Sequence, residues 1–286
     1  ARPGWNDAAQ GAERICIGLG KKLLLAAAAQ GAAEKLLDGS AVSCPAAWLG
    51  AACYALQIYF DFSGYTDMAI GLGALFGLNL PENFNDPYCA RSITDFWRRW
   101  HMTLSQWFRD YIYIPLGGSR RGKPRQIVNL LIVWALTGLW HGASWSFALW
   151  GLYFAALLIV EKFVLAKLLD RLPAFFRHVY ALFFILLGWM LFRTEDFSQL
   201  AALLRTLFTG GTAVTAEPFV FVLRQYGIEL LLGALLCTPL GKRLLEALDR
   251  TRARRAAKYL LLLGIFALAL LALVRSGVNA FIYAQF

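Results

Sequence analysis

Along this chain, uncharged stretches of 15 to 35 residues alternate with short polar islands. A helix crossing ~30 Å of hydrocarbon needs about 20 largely apolar residues, so windows free of charge mark candidate spans. Gly39–Phe60 is one such window and runs on through Asp61 and Asp67 to Leu80; Gln126–Val160 is another, 35 residues long. His178–Phe192 and Tyr259–Val274 are shorter, and Gln225–Gly241 is interrupted by Glu229. Near the start, Leu23–Ala33 reaches span length only if Ile15–Leu24 joins it with Lys21 and Lys22 facing protein or water.

As one helix, Gln126–Val160 would be about 52 Å long, well beyond a bilayer core. The sequence therefore predicts two segments folded back at Gly142-Ala-Ser-Trp, where glycine and serine weaken the helix, with His141 at the bend. Arg91–Pro115 reads differently. Ser92 followed by Asp95 resembles a capping box opening a helix. Phe96, Trp97, Trp100, Leu104, Trp107, Phe108 and Tyr111 recur every three or four positions, with Arg98, Arg99, Gln106 and Arg109 elsewhere. The pattern predicts an amphipathic helix lying in the membrane interface and ending at Pro115-Leu-Gly-Gly. The fold class read from the sequence is all-α: a polytopic membrane helical bundle with interfacial and re-entrant helices. No internal repeat or low-complexity linker divides it, so residues 1–286 read as a single membrane domain.

Composition agrees and excludes other classes. Apolar residues make up 59% of the 286 positions and mean hydropathy is +0.53, above the range of soluble domains. Disorder is excluded on the same ground. Charged residues are only 16%, so the net charge of +10 belongs to loops rather than to a nucleic-acid surface. The five cysteines, 16, 44, 53, 89 and 237, show neither disulfide nor metal spacing and read as small apolar fillers. Three basic islands set the expected topology. Arg120, Arg121, Lys123 and Arg125 form the first, Lys162 to Arg177 the second, and Lys242 to Lys258 the third; all three should be cytoplasmic. Arg193–Arg224, with Gly210-Gly211 and Glu217-Pro218, should then be an external loop. The first residue is Ala1, and residues 1–20 lack the order of a signal peptide, so the chain is expected to lack an N-terminal part.

Candidates for chemistry are few. There are three histidines. His141 lies inside the long uncharged window, where an ionisable residue usually faces a cavity or the protein interior. Burial would keep it neutral, the state a general base needs; the alternative is an imidazole hydrogen-bonded within the bundle. On a helix His101 would share a face with Trp97, Leu104 and Phe108 and could reach inward, or simply pack. His178 carries no expected chemistry. Asp61 and Asp67, six residues apart, could point into protein if Gly64 breaks the helix between them. They could serve as proton or ion carriers, orient a histidine or the Arg98/Arg99 pair, or act as buried structural partners. Zincin, hydrolase-elbow and nucleotide-loop motifs are absent, and no histidine–cysteine cluster suggests a metal site.

Three segments, in order, carry a resemblance. Tyr59-Phe-Asp-Phe-Ser-Gly-Tyr-Thr-Asp-Met-Ala-Ile-Gly, Ser92 through Tyr111, and Thr137-Gly-Leu-Trp-His-Gly-Ala-Ser-Trp resemble the membrane-bound O-acyltransferase family. Tyr113-Ile-Pro-Leu-Gly-Gly and the terminal Phe281-Ile-Tyr-Ala-Gln-Phe are most similar to its alginate O-acetyltransferase branch, less to its D-alanyl transferase branch. The resemblance implies a bacterial plasma-membrane enzyme that takes an acyl group from a cytoplasmic thioester, acetyl-CoA or a similar donor. The group would pass to an extracytoplasmic acetyltransferase-like partner and on to a polysaccharide hydroxyl. His141 matches the family's catalytic histidine and His101 its second, upstream position. Trp100 or Trp140 could orient substrate, and the loop Arg120–Arg125 could attract the donor's phosphates. Family members carry further spans before the region equivalent to Gly11. An ion-coupled transporter using Asp61, Asp67 and Glu229, or an inactive scaffold, remains an alternative.

Overall fold

Glycines and buried charges, more than apolar pattern, decide how these helices meet. The computed structural model describes residues 4–38, 43–209 and 217–276. Its helices are α1 (Trp5–Leu37, with a π-helical turn at Lys21–Ala26), α2 (Cys44–Leu75), α3 (Ile93–Trp97), α4 (Met102–Phe108), α5 (Gly122–His141) and α6 (Trp145–Val160). They continue with α7 (Ala166–Arg171), α8 (Ala174–Arg193), α9 (Phe197–Thr209), α10 (Glu217–Leu236), α11 (Leu240–Leu248) and α12 (Arg252–Ser276). No strand occurs among the described residues, so the chain is an all-α membrane protein. Four helices among these residues are long and apolar enough to cross a membrane: Trp5–Leu37, Ala174–Arg193, Phe219–Leu236 and Arg252–Arg275. The terminal Phe281–Phe286 motif, and Gly210-Gly211 of the expected loop, lie outside the described residues.

The chain forms two compact units, one of Ala1–Glu82 with Gly210–Phe286 and the other Asn83–Thr209. In the first, α1 and α2 touch backbone to backbone. A Cβ on Gly18 would stand 2.6 Å from the Gly64 carbonyl oxygen, and one on Gly71 would stand 2.6 Å from that of Gly11. Small residues let membrane helices approach this closely. Gly64 therefore does not break α2, which runs unbroken from Cys44 to Leu75. This corrects the expected interruption: a glycine inside a helix also serves where a neighbouring backbone needs the room.

Asp61 and Asp67, each 6% exposed, face the basic side chains of α1. Lys22 donates to Asp61, while Lys21 and Arg14 both donate to Asp67, at 2.7 and 2.8 Å. Arg14 also forks onto Glu82 at 2.6 and 2.5 Å. The condition set for a span at the start of the chain, that Lys21 and Lys22 face protein or water, is thus met by the carboxylates of α2. From α10, the Tyr226 ring closes on Gly31, and from α12 the buried Lys258 reaches Glu13 at 2.7 Å.

In the second unit, α5 and α6 fold back where expected. Gly142 sits at φ 155°, a conformation open to glycine, and Ser144 starts the return. Gly138 and Gly151 admit the carbonyls of Phe147 and Trp134 respectively, so this hairpin also packs backbone on backbone. Behind it stands an aromatic core. Trp97 meets Trp134, Trp150 and Phe154 edge to face, with centroids 4.6, 5.6 and 4.9 Å away.

Three expectations are corrected here. Arg91–Pro115 is not one interfacial helix: α3 and α4 are separated at 98–101, and Phe96 and Trp100 of the aromatic stripe are buried in protein. The segment expected as an external loop contains α9, and α10 starts at Glu217 rather than near 225. The third basic island is itself helical, in α11 and the start of α12.

Candidate active site

The break between α3 and α4 falls at His101, whose backbone is left-handed at φ 45°. Non-glycine residues adopt that conformation only when their surroundings impose it. Here the surroundings are the segment Asn83–Asn85. The Met102 N–H donates to the Asn83 carbonyl at 3.0 Å, and the Asn85 N–H donates to the Arg99 carbonyl at 3.0 Å. The Asn83 side chain, 5% exposed, accepts through Oδ1 from the Thr103 N–H at 3.2 Å and the Thr103 hydroxyl at 2.9 Å, and lies 3.1 Å from His101 Nδ1. Burial pushes the His101 imidazole down to about 4, so it is neutral at physiological pH.

His141 ends α5 and is 7% exposed. Aromatic rings enclose it: Trp140 at 4.8 Å, Trp150 at 5.1 Å and Phe192 at 5.2 Å, all close to perpendicular. Trp140 is the element common to both histidines, its centroid 5.9 Å from that of His101. With 54% of its surface exposed, this indole forms an outer edge to one buried and one part-buried imidazole.

Two turns upstream of His101, Ser92 caps α3 by accepting from the Asp95 N–H at 3.0 Å, as the sequence suggests. A second cap is unexpected. Glu161, 4% exposed and placed just after α6, accepts from the Ile93 N–H at 2.7 Å, the Thr94 N–H at 2.8 Å and the Thr94 hydroxyl at 2.5 Å. A carboxylate at a helix N-terminus meets unpaired N–H groups and the positive end of the helix dipole. One end of the hairpin therefore holds His141 and the other holds the helix that leads to His101.

The remaining sequence candidates separate. Trp140 lies at the histidines. Trp100 is core, 2% exposed and packed on Trp189 at 4.8 Å and Phe84 at 5.0 Å. Arg98 is exposed, and Arg99 pairs with Asp95 at 2.8 Å. Asp61 and Asp67, read as possible orienters of that arginine pair, instead meet Lys22, Lys21 and Arg14. Arg120 and Arg121, in the turn before α5, and Lys123 and Arg125, in its first residues, are all exposed. No group of three or more His, Cys, Asp or Glu that could hold a metal occurs among the described residues.

Sequence reasoning missed Asn83, Thr103, Trp150 and Glu161. Only Glu161 left a signal, as the first charge after 35 uncharged residues.

The profile of the membrane-bound O-acyltransferase family matches residues 41–197, more than half of the chain. The chain belongs to that family. This membrane-bound O-acyltransferase chain is 41% identical over 203 residues to a protein of Azotobacter vinelandii named "Probable alginate O-acetylase AlgI". It is 39% identical over 205 residues to the peptidoglycan O-acetyltransferase of Helicobacter pylori. These matches cover 71% and 70% of the chain but only 41% and 39% of the two relatives, so the chain spans about two fifths of their length. The teichoic acid D-alanyltransferase of Bacillus subtilis is 38% identical over 117 residues, 38% of the chain and 30% of that protein. The family match includes both histidines, Asn83, Trp140 and Glu161.

Proposed function

We propose that the chain is the acyl-transferring part of a bacterial plasma-membrane O-acetyltransferase. It would move acetyl from a cytoplasmic thioester, acetyl-CoA or a similar donor, toward an extracytoplasmic polysaccharide hydroxyl by way of an acetyltransferase-like partner. The observation that carries this reading is the pair of imidazoles, the part-buried His101 and the buried His141, flanking the exposed Trp140. The names of the relatives from Azotobacter and Helicobacter support acetyl over other acyl groups.

In the reaction, His141 takes the proton of the attacking hydroxyl as its oxygen bonds to the thioester carbonyl carbon. The carbon–sulfur bond breaks, the thiolate leaves, and the imidazolium returns the proton to sulfur. Water is kept from the base by Trp150, Phe147 and Phe192. The exposed cations Arg120, Arg121, Lys123 and Arg125 raise the local concentration of a donor that carries phosphates.

The Bacillus match favours a second reading, D-alanyl transfer to teichoic acid, over a shorter stretch. An ion-coupled transporter is disfavoured because Asp61 and Asp67 are engaged by lysine and arginine side chains. Membranes containing the protein and its partner, given thioester carrying labelled acetyl or labelled D-alanine, separate these readings. Acetyl should appear on polysaccharide with wild-type protein and not with His141→Ala. Full transfer by His141→Ala removes that residue from the mechanism, and solute movement without donor consumption supports the transporter.

A further inference from the structure

Asn83 does more than hold a turn. The backbone N–H of Thr103 is a donor whatever the protonation of its neighbours, and at 3.2 Å it requires the oxygen of the Asn83 amide, not its nitrogen, to face the turn. The Thr103 hydroxyl at 2.9 Å has an acceptor there as well. The same oxygen lies 3.1 Å from His101 Nδ1, and an oxygen acceptor at that distance requires the hydrogen to be on Nδ1.

We infer that Asn83, oriented by Thr103, is a positioning residue that fixes His101 as the Nδ1–H tautomer and makes Nε2 the acceptor nitrogen of that imidazole in the acyl-transfer site. This rests on the acyl-transfer reading for its consequence, though not for its geometry. A neutral imidazole with hydrogen on Nδ1 cannot donate through Nε2. His101 therefore does not stabilise the negative oxygen that develops on the thioester carbonyl. A substrate group that meets Nε2 must be a donor: a hydroxyl of the acyl acceptor other than the attacking one, whose proton goes to His141, or an amide N–H of the thioester. The burial that keeps His101 neutral preserves this polarity across the physiological range. The left-handed backbone at His101 belongs to the same device, since the Met102 N–H bond to the Asn83 carbonyl closes the turn beneath the ring.

The chain contains three histidines, so a protein labelled with nitrogen-15 at histidine gives three resolvable pairs of ring signals in lipid nanodiscs. The pair lost in His101→Gln identifies His101. In the wild-type protein Nδ1 should be protonated and Nε2 not; hydrogen on Nε2 overturns the proposal without any variant having to fold. Asn83→Leu and the milder Thr103→Val should mix the two tautomers and lower kcat/KM by about tenfold or more. His101→Gln, whose side-chain oxygen can still accept, should retain more activity than His101→Leu. A raised KM for polysaccharide identifies the hydroxyl as the partner of Nε2, and a raised KM for thioester identifies the amide. Unchanged kinetics in Thr103→Val and Asn83→Leu overturn the positioning role. Absence of acyl transfer by the wild-type protein would defeat the proposed function alone, leaving the tautomer assignment to stand or fall on the ring signals.

Discussion

Glu161 offers the sharpest test of how the site is held. Its carboxylate receives two backbone N–H groups and one hydroxyl from the first residues of α3, in an interior where only 4% of the residue is exposed. Glu161→Ala strands all three donors. At about 1–3 kcal/mol for each buried donor left without an acceptor, the loss is roughly 3 kcal/mol at least. Glu161→Gln keeps one acceptor oxygen but turns an amide NH2 toward the second N–H, so it should cost about 1–3 kcal/mol. Thermal unfolding in lipid nanodiscs, followed by tryptophan emission, reads the effect directly because Trp97 of α3 packs on Trp134 and Trp150. Melting temperatures should fall in the order wild type, Glu161→Gln, Glu161→Ala. Acyl transfer should fall in the same order, since α3 carries the chain to the His101 turn. A Glu161→Ala protein that melts with the wild type would refute the argument that this carboxylate anchors α3.

Four further outcomes follow from the structure. Asp61→Asn leaves the Lys22 ammonium buried without its carboxylate and should destabilise the protein by about 3–5 kcal/mol, with much of that loss recovered in a Lys22→Met/Asp61→Leu double variant; unfolding of both variants checks it. Gly64→Ala places a Cβ 2.7 Å from the Gly18 carbonyl oxygen and should separate α1 from α2, lowering the melting temperature. Gly227→Ala in α10, with nothing within 4 Å, should instead be neutral or stabilising by about 0.5–1 kcal/mol. His101 ordinarily titrates near 6.5 and in the folded protein near 4. The unfolded chain therefore takes up the proton first as pH falls, and the contribution is complete above about 6.5 and lost toward 4, at up to about 1.4 kcal/mol per pH unit. Unfolding measured between pH 7 and pH 5 should show this slope, reduced in His101→Gln.

Legibility in the sequence follows a physical boundary. The α5–α6 hairpin was readable because its signal is local: too many apolar residues for one crossing, with Gly142 and Ser144 at the bend. Joining of the first apolar segments across Lys21 and Lys22 was readable only as a condition, since the carboxylates that satisfy it lie about forty residues away on α2. Gly64 misled because a glycine that bends a helix and one that admits a neighbouring backbone look alike in one strand of text. The aromatic stripe from Phe96 to Tyr111 has helical spacing, yet the bonds from Asn83 to Met102 and Thr103 force a turn at His101. No periodicity in the stripe reports on a residue eighteen positions upstream. The family resemblance selected His141 and His101, whereas Asn83, which meets His101, and Glu161, which caps the helix before it, act through hydrogen bonds that only the fold assembles.

The most direct test of the account is the fate of labelled acetyl from thioester donor in membranes holding the protein and the proposed polysaccharide-modifying partner, compared between wild type and His141→Gln at equal protein level. The account predicts label on polysaccharide with the wild type and none above background with the variant, because the proton of the attacking hydroxyl has no acceptor. Wild-type transfer by His141→Gln would contradict it.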